Sequence, residues 1–224
     1  KELNKIKGIK WIRFLYTYPE TIDDELIKTV KECDKVCKYF DIPIQHINDN
    51  VLKNMHRKSN GNSIKELILH LRKEIPNVII RTTLIAGFPC ETDDEFNELC
   101  NFVNDYKIDK LGCFAYSKED GTYASIMKGQ IKEKVKKERQ KKIMALQQNI
   151  SKEIMNKYIG NTYEVLIEDV TEDGEYFIGR SYMDVPNEDG VIFIKYNSNY
   201  ALNEFVNCRI TSALVYDLVG EITQ

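Results

Sequence analysis

The stretch RTTLIAGFPCETDDEF, residues 81–96, limits the possible folds more than any other part of the chain. Residues 82–86 are largely apolar and β-branched, as in a strand buried on both faces. Gly87 and Pro89 stop that strand. Thr92 with Glu95 three residues later makes a capping box, and Asp93 and Asp94 suit the positive end of a helix dipole. The reading is strand, turn, helix. The turn falls at the carboxyl end of the strand, where parallel sheets place their binding sites.

The same alternation runs through the first half. WIRFLY (11–16) reads as a strand, and Thr21 as the cap of a helix reaching about Cys37, with Leu26, Val30, Cys33 and Cys37 along one face. YFDIPIQ (39–45) reads as a second strand. Ser63 and Glu66 read as a capping box for a helix that turns Ile64, Leu67, Leu71 and Ile75 inward. The third strand (78–87) leads into the helix 93–106, and KLGCFAY (110–116) is the fourth. Strands and helices in alternation imply parallel strands with right-handed crossovers. Four such strands do not close a ring, so the expected class is an open α/β part-barrel.

A long helix is expected from about 132 to 157, with Ile143, Leu146, Ile150 and Ile154 at helical spacing and Gly160 as its stop. Its basic run, 132–142, reads as a solvated face. From Thr162 the period changes to two. TYEVLIE, YFIGRS, VIFIK, EFVNCRI and LVYDLVGEI then read as five strands of a small antiparallel barrel of OB-like size. The expected domains are therefore 1–157, including the connecting helix, and 158–224. Charge divides the same way. Residues 1–157 hold 29 Lys and Arg against 23 Asp and Glu, whereas 158–224 hold 3 against 12. Two halves of opposite charge point to different partners.

No apolar run approaches the roughly 20 residues of a membrane helix. The six cysteines are scattered through ordinary elements, a pattern of reduced thiols that fits the cytoplasm. Cys33 and Cys37 invite comparison with a cluster loop, but Phe40 stands where a third thiolate is needed, and core packing is the reading preferred. His46, His56 and His70 have no carboxylate at ligand spacing, so no metal site is expected. Cys90, in the turn, is the thiol expected to be exposed. Gln45 and Arg57 are better binding candidates: one offers a donor and an acceptor, the other a fork suited to a carboxylate. Arg81 opens a buried strand and needs an ion-pair partner or an anionic ligand.

Taken in order, PIQH, LKNMHRKS, RTTLIAGFPCETDDEF, LGCFAYSKEDGT and LQQNIS resemble the radical S-adenosylmethionine methylthiotransferases, and the small barrel resembles their TRAM domain. LYTYPE, RTT and YSKEDGT look like the branch that modifies a ribosomal protein. The resemblance implies a part-barrel of the radical type followed by a TRAM domain. It implies S-adenosylmethionine and two 4Fe-4S clusters in the full-length enzyme, with their ligands upstream of Lys1 and no catalytic residue in this chain. It also implies a cofactor wall in which Gly87 and Phe88 approach the adenine, Gln45 faces the ribose or methionine, and Arg57 and Arg81 offer charge to its carboxylate. The implied target is the β-carbon of an aspartate in small-subunit ribosomal protein twelve. Two departures stand out: the family's GFPGET reads GFPCET here, and QHGSD reads QHIND.

The expected partner is a basic ribosomal protein rather than nucleic acid, met by a monomer that does not enter membranes. With 12 carboxylates, residues 158–224 repel a phosphate backbone, while Tyr163, Phe177, Tyr182 and Phe193 offer contact area. The alternatives are a tRNA adenosine methylthiotransferase whose barrel grips RNA, and a non-enzymatic binding module.

Overall fold

A computed structural model describes residues 1–223. The chain divides into two compact units, Lys1–Gln147 and Gln148 onward. In the first, strands β1 (Tyr39–Asp41), β2 (Ile79–Ala86) and β3 (Lys110–Ala115) form one parallel sheet in that order. Helices α1 (Asp24–Glu32), α2 (Asp49–Asn54), α3 (Gly61–Glu74), α4 (Asp93–Tyr106) and the short α5 (Tyr123–Ile126) come between and after the strands. One face of β2 is buried, with Ile80, Thr82, Leu84 and Ala86, while Arg81, Thr83 and Ile85 on the other are only partly covered.

The sheet has three strands, not four. WIRFLY makes a single bridge, Ile12 to Val36, and then turns away at Tyr16, whose φ is 58°. The Tyr16 and Thr17 N–H groups go to the Asp41 side chain and carbonyl (3.1 and 2.8 Å), which leaves no ladder to extend. Phe14 still packs edge-on against Phe40, at 5.3 Å. The second strand is shorter than its sequence suggests because Pro43 brings no N–H. Pairing resumes at Gln45, which bridges Leu84.

Two caps also differ from expectation. Asp23, not Thr21, caps α1, and the helix ends at Glu32 with Cys33 as its C-cap. Cys33 and Cys37 are therefore not a helical turn apart, although both are buried. Asn60 and Ser63 form the capping box of α3, displacing the Ser63–Glu66 reading. The Thr92–Glu95 box of α4 is as expected.

Helix α6 (Glu133–Asn156) runs across the boundary between the units. Along its first part Gln140 donates to the Cys113 carbonyl (3.0 Å) and Gln147 to that of Ile108 (2.9 Å).

The second unit closes a barrel from β4 (Thr162–Val170), β5 (Tyr176–Arg180), β6 (Ile192–Lys195), β7 (Phe205–Ala213) and β8 (Leu218–Ile222), in the order β4-β5-β6-β8-β7. All pairs are antiparallel except β6 with β8. Bulges at 167/169 and 210/212 bend β4 and β7 so that the ring can close. Val165, Ile167, Phe177, Ile192, Ile194, Val206, Cys208 and Ile210 fill the interior. Gly220 admits the Cys208 sulfur, which a Cβ there would meet at 2.4 Å. The last expected strand is shorter, because residues 214–217 form a turn in which the Asp217 carboxylate accepts the Val191 N–H (2.9 Å). Burial pushes the Cys113 and Cys208 thiols up to about 12, so both behave as inert core residues. No described helix is long and apolar enough to cross a membrane.

Candidate functional site at the carboxyl end of the parallel sheet

The turn after β2 is held from behind. Gly87 takes φ 78°, and a Cβ there would stand 2.4 Å from Lys136 Cγ, so the turn packs directly on α6. Glu91 Oε2 accepts from the Gly87 and Phe88 N–H groups (2.8 and 3.3 Å). Its Oε1 accepts from Arg139 Nη1 at 2.8 Å. Arg139 also bonds the Glu91 carbonyl (3.0 Å) and Asp93 (2.7 Å), and lies 5.2 Å over the Phe96 ring. The Glu91 side chain is fully buried, and burial pushes its carboxyl up against the opposing pull of Arg139 and the two amides.

His46 lies behind the same turn with no exposed surface. Its Nδ1 accepts the Asn48 N–H (3.0 Å), so the proton of the neutral ring sits on Nε2. That nitrogen is 3.7 Å from Glu91 Oε2 and has no hydrogen-bond partner. Burial draws the His46 pKa down to about 4, Glu95 opposing and Arg139 assisting.

The front of the turn is apolar. Phe88 meets Tyr116 edge-on at 5.2 Å, within a cluster completed by Val51, Met55, Ile85, Ala124 and Met127. Gln45 stands on the β1 side of β2. Its N–H donates to Thr83 and its carbonyl accepts from Ile85, while its side-chain Oε1 is buried without a partner.

Gln45, Gly87 and Phe88 thus come together at one end of the sheet. Arg57 lies nearby, its guanidinium donating to the Pro43 carbonyl and covering the Tyr18 ring at 4.9 Å. Arg81 does not join them. Six residues of strand, about 20 Å, separate it from Gly87. There it pairs with the buried Asp41 at 3.1 Å, which answers its need for a counter-charge. Cys90 is exposed, as expected, and fits the turn at φ 69° with its N–H on the Gly129 carbonyl (2.9 Å) and its sulfur 3.0 Å from the Lys128 carbonyl.

Sequence reasoning missed Glu91, Tyr116, Lys136 and Arg139, and misread part of the basic run. Lys136 and Arg139 are only 7% exposed. The signal was present: the stripe of Ile143, Ile150 and Ile154, continued backward at helical spacing, falls on Arg139 and Lys136. Long side chains there bury their stems and carry charge to the turn. Among the described residues no group of three His, Cys, Asp or Glu is placed to hold a metal ion.

Residues 1–103 match the radical SAM superfamily, and residues 159–223 match the TRAM domain. A parallel sheet with its glycine turn, followed by a closed five-stranded barrel, is thus a radical SAM region joined to a TRAM domain. Similar proteins include one from Alkaliphilus oremlandii named ribosomal protein uS12 methylthiotransferase RimO, 59% identical over 99% of this chain and 51% of its own length. Proteins of the same name from Clostridium botulinum and Clostridium perfringens are 49% and 51% identical, each over 99% of this chain and 49% of theirs. The chain spans about half the length of these relatives. Over nearly its whole length it is similar to these methylthiotransferases, and it carries a radical SAM region and a TRAM domain.

Proposed function

We propose that the protein carrying this chain adds a methylthio group to the β-carbon of an aspartate in ribosomal protein uS12. The names of its relatives support that reading. In this chain, the observation that carries it is a rigidly backed turn with an unpartnered Gln45 Oε1 beside it. One S-adenosylmethionine would supply the 5′-deoxyadenosyl radical when bound, and a second the methyl group. This chain's residues bind and orient the first. Because the Gly87 and Phe88 N–H groups are turned back onto Glu91, the wall offers a flat apolar surface, and Gln45 supplies the polar contact. Arg57, anchored on the Pro43 carbonyl two residues before Gln45, offers its remaining donors to the carboxylate. Arg81 is left out of this wall, since it lies about 20 Å along β2 from Gly87 and is paired with Asp41. The two 4Fe-4S clusters are assigned to residues outside this chain, since the described cysteines do not converge. The setting is the cytoplasm and the working unit a monomer.

The barrel's partner in this reading is the basic ribosomal protein. Glu168, Asp169, Glu172, Asp173, Glu175, Glu188, Glu204 and Glu221 are exposed on it. Complementary charge speeds encounter and fixes orientation. Of the aromatic residues expected to supply contact area, Phe177 is inside the barrel at 1% exposure, which leaves Tyr163, Tyr182 and Phe193.

The test uses the full-length protein, reconstituted anaerobically and offered uS12 and tRNA separately with S-adenosylmethionine. A methylthio mass increment on one aspartate of uS12, with salt-sensitive binding of that protein, is the expected result. Modification of tRNA instead overturns the proposal.

A further inference from the structure

We propose that Tyr116 is a cofactor contact, its phenol hydroxyl hydrogen-bonding the polar edge of the adenosine part of S-adenosylmethionine. The inference rests on the reading of the Gly87 turn as a wall for that molecule.

Tyr116 follows β3, and its main chain is fully engaged. Its N–H donates to the Ala86 carbonyl (2.9 Å), and its own carbonyl accepts from Lys136 Nζ (3.0 Å). The ring is fixed as well, with the Phe88 ring at 5.2 Å and the Lys136 ammonium 5.4 Å from its centre. The residue is only 8% exposed. Around it stand Val51, Met55, Ile85, Phe88, Ala124 and Met127, none of which has a polar nitrogen or oxygen in its side chain. The hydroxyl at the end of this immobilised ring has no partner. Buried polar groups are nearly always satisfied, and one left alone marks a place that something else completes.

Its position says what completes it. Tyr116 stands at the end of β3 on one side of β2, and Gln45 bridges β2 from the other side. The Phe88 turn lies between them. Two orphaned polar atoms, an amide oxygen and a phenol, therefore flank one apolar wall. A ligand that fits has a flat apolar body and polar groups at both ends. An adenosine meets that description: its ribose hydroxyls donate to Gln45 Oε1, and the purine edge meets the Tyr116 hydroxyl.

The probe is S-adenosylhomocysteine, which requires no turnover, titrated by calorimetry into the full-length protein. Tyr116→Phe removes one oxygen atom. The variant is expected to bind about tenfold more weakly, the effect of one hydrogen bond between neutral groups. The ligand-free variant is expected to melt no lower than the wild type, because an unsatisfied hydroxyl has gone. Equal affinity in the two proteins overturns the inference and leaves the cofactor wall standing. A lower melting temperature with equal affinity also overturns it, since the hydroxyl is then bonded within the protein. Wild-type protein that does not bind the probe overturns the wall, and the inference with it. If Tyr116→Phe does not accumulate, 3-fluorotyrosine placed at position 116 gives a fluorine resonance in a nearly native protein. A shift with S-adenosylhomocysteine but not with homocysteine is expected, and a signal that moves with neither overturns the assignment.

Discussion

The two units handle polar groups in opposite ways. The first buries Asp41, His46, Glu91, Lys136 and Arg139, whereas in the barrel Asp184 is the buried acidic or basic side chain among the described residues, held by Ser181. Most of the first set crowds behind one turn, where charge is used to fix backbone. The barrel does the reverse, filling its interior with aliphatic side chains, Phe177 and Cys208 and carrying most of its carboxylates outside. Buried charge marks the half that fixes a turn, and exposed charge marks the half that carries its carboxylates on the surface.

The largest expected difference tests that contrast. Arg139→Met leaves Glu91 buried without its guanidinium and is expected to cost about 3–5 kcal/mol. Arg180→Ala breaks the 2.7 Å Arg180–Glu168 pair at the barrel surface and is expected to cost less than about 1 kcal/mol. Urea denaturation of both variants measures this, and equal losses would erase the distinction.

The next effect depends on pH. His46 has a folded pKa of about 4, below its ordinary value of 6.5. Between those values the unfolded chain binds more protons than the folded one, so stability is full above pH 6.5 and is lost as pH falls towards 4. The total is about 3 kcal/mol at most. Denaturation midpoints across that range should fall in the wild type and flatten in His46→Gln. An unchanged slope in the variant would place the titration elsewhere.

The smallest is a cap. Thr92 Oγ1 accepts the Glu95 N–H at 3.2 Å, and Thr92→Ala is expected to cost about 1 kcal/mol. Thr162→Ala, at the exposed start of β4, should stay within about 0.5 kcal/mol. Thermal melts of the pair decide whether the helical unit alone depends on such end contacts.

The sequence revealed these elements unevenly. The barrel was legible because period-two alternation reports directly which side chains face inward. The β2 turn was legible because glycine, proline and a capping box follow one another within nine residues. WIRFLY was not: its composition suits a strand, but its backbone partners lie on Asp41, and no local pattern announces that. Nor did composition separate Lys136 and Arg139 from their solvated neighbours, because a lysine or arginine signals exposure unless the stripe it continues is followed. Gln45 was legible by its place after a strand, whereas the Tyr116 hydroxyl became visible only once its surroundings were known to be apolar.

One consequence follows from the side chains that reach β3 from α6. β3 is the last strand of an open sheet, and the amides of Gln140 and Gln147 and the ammonium of Lys136 occupy carbonyls in it and at its ends. A strand edge without such cover is a template on which further copies add. Cleaving the chain between Gln130 and Glu133 and removing α6 should therefore turn the first unit from a folded support into a self-assembling one, seen as light scattering that grows with concentration. In that sense the connecting helix also keeps the sheet soluble.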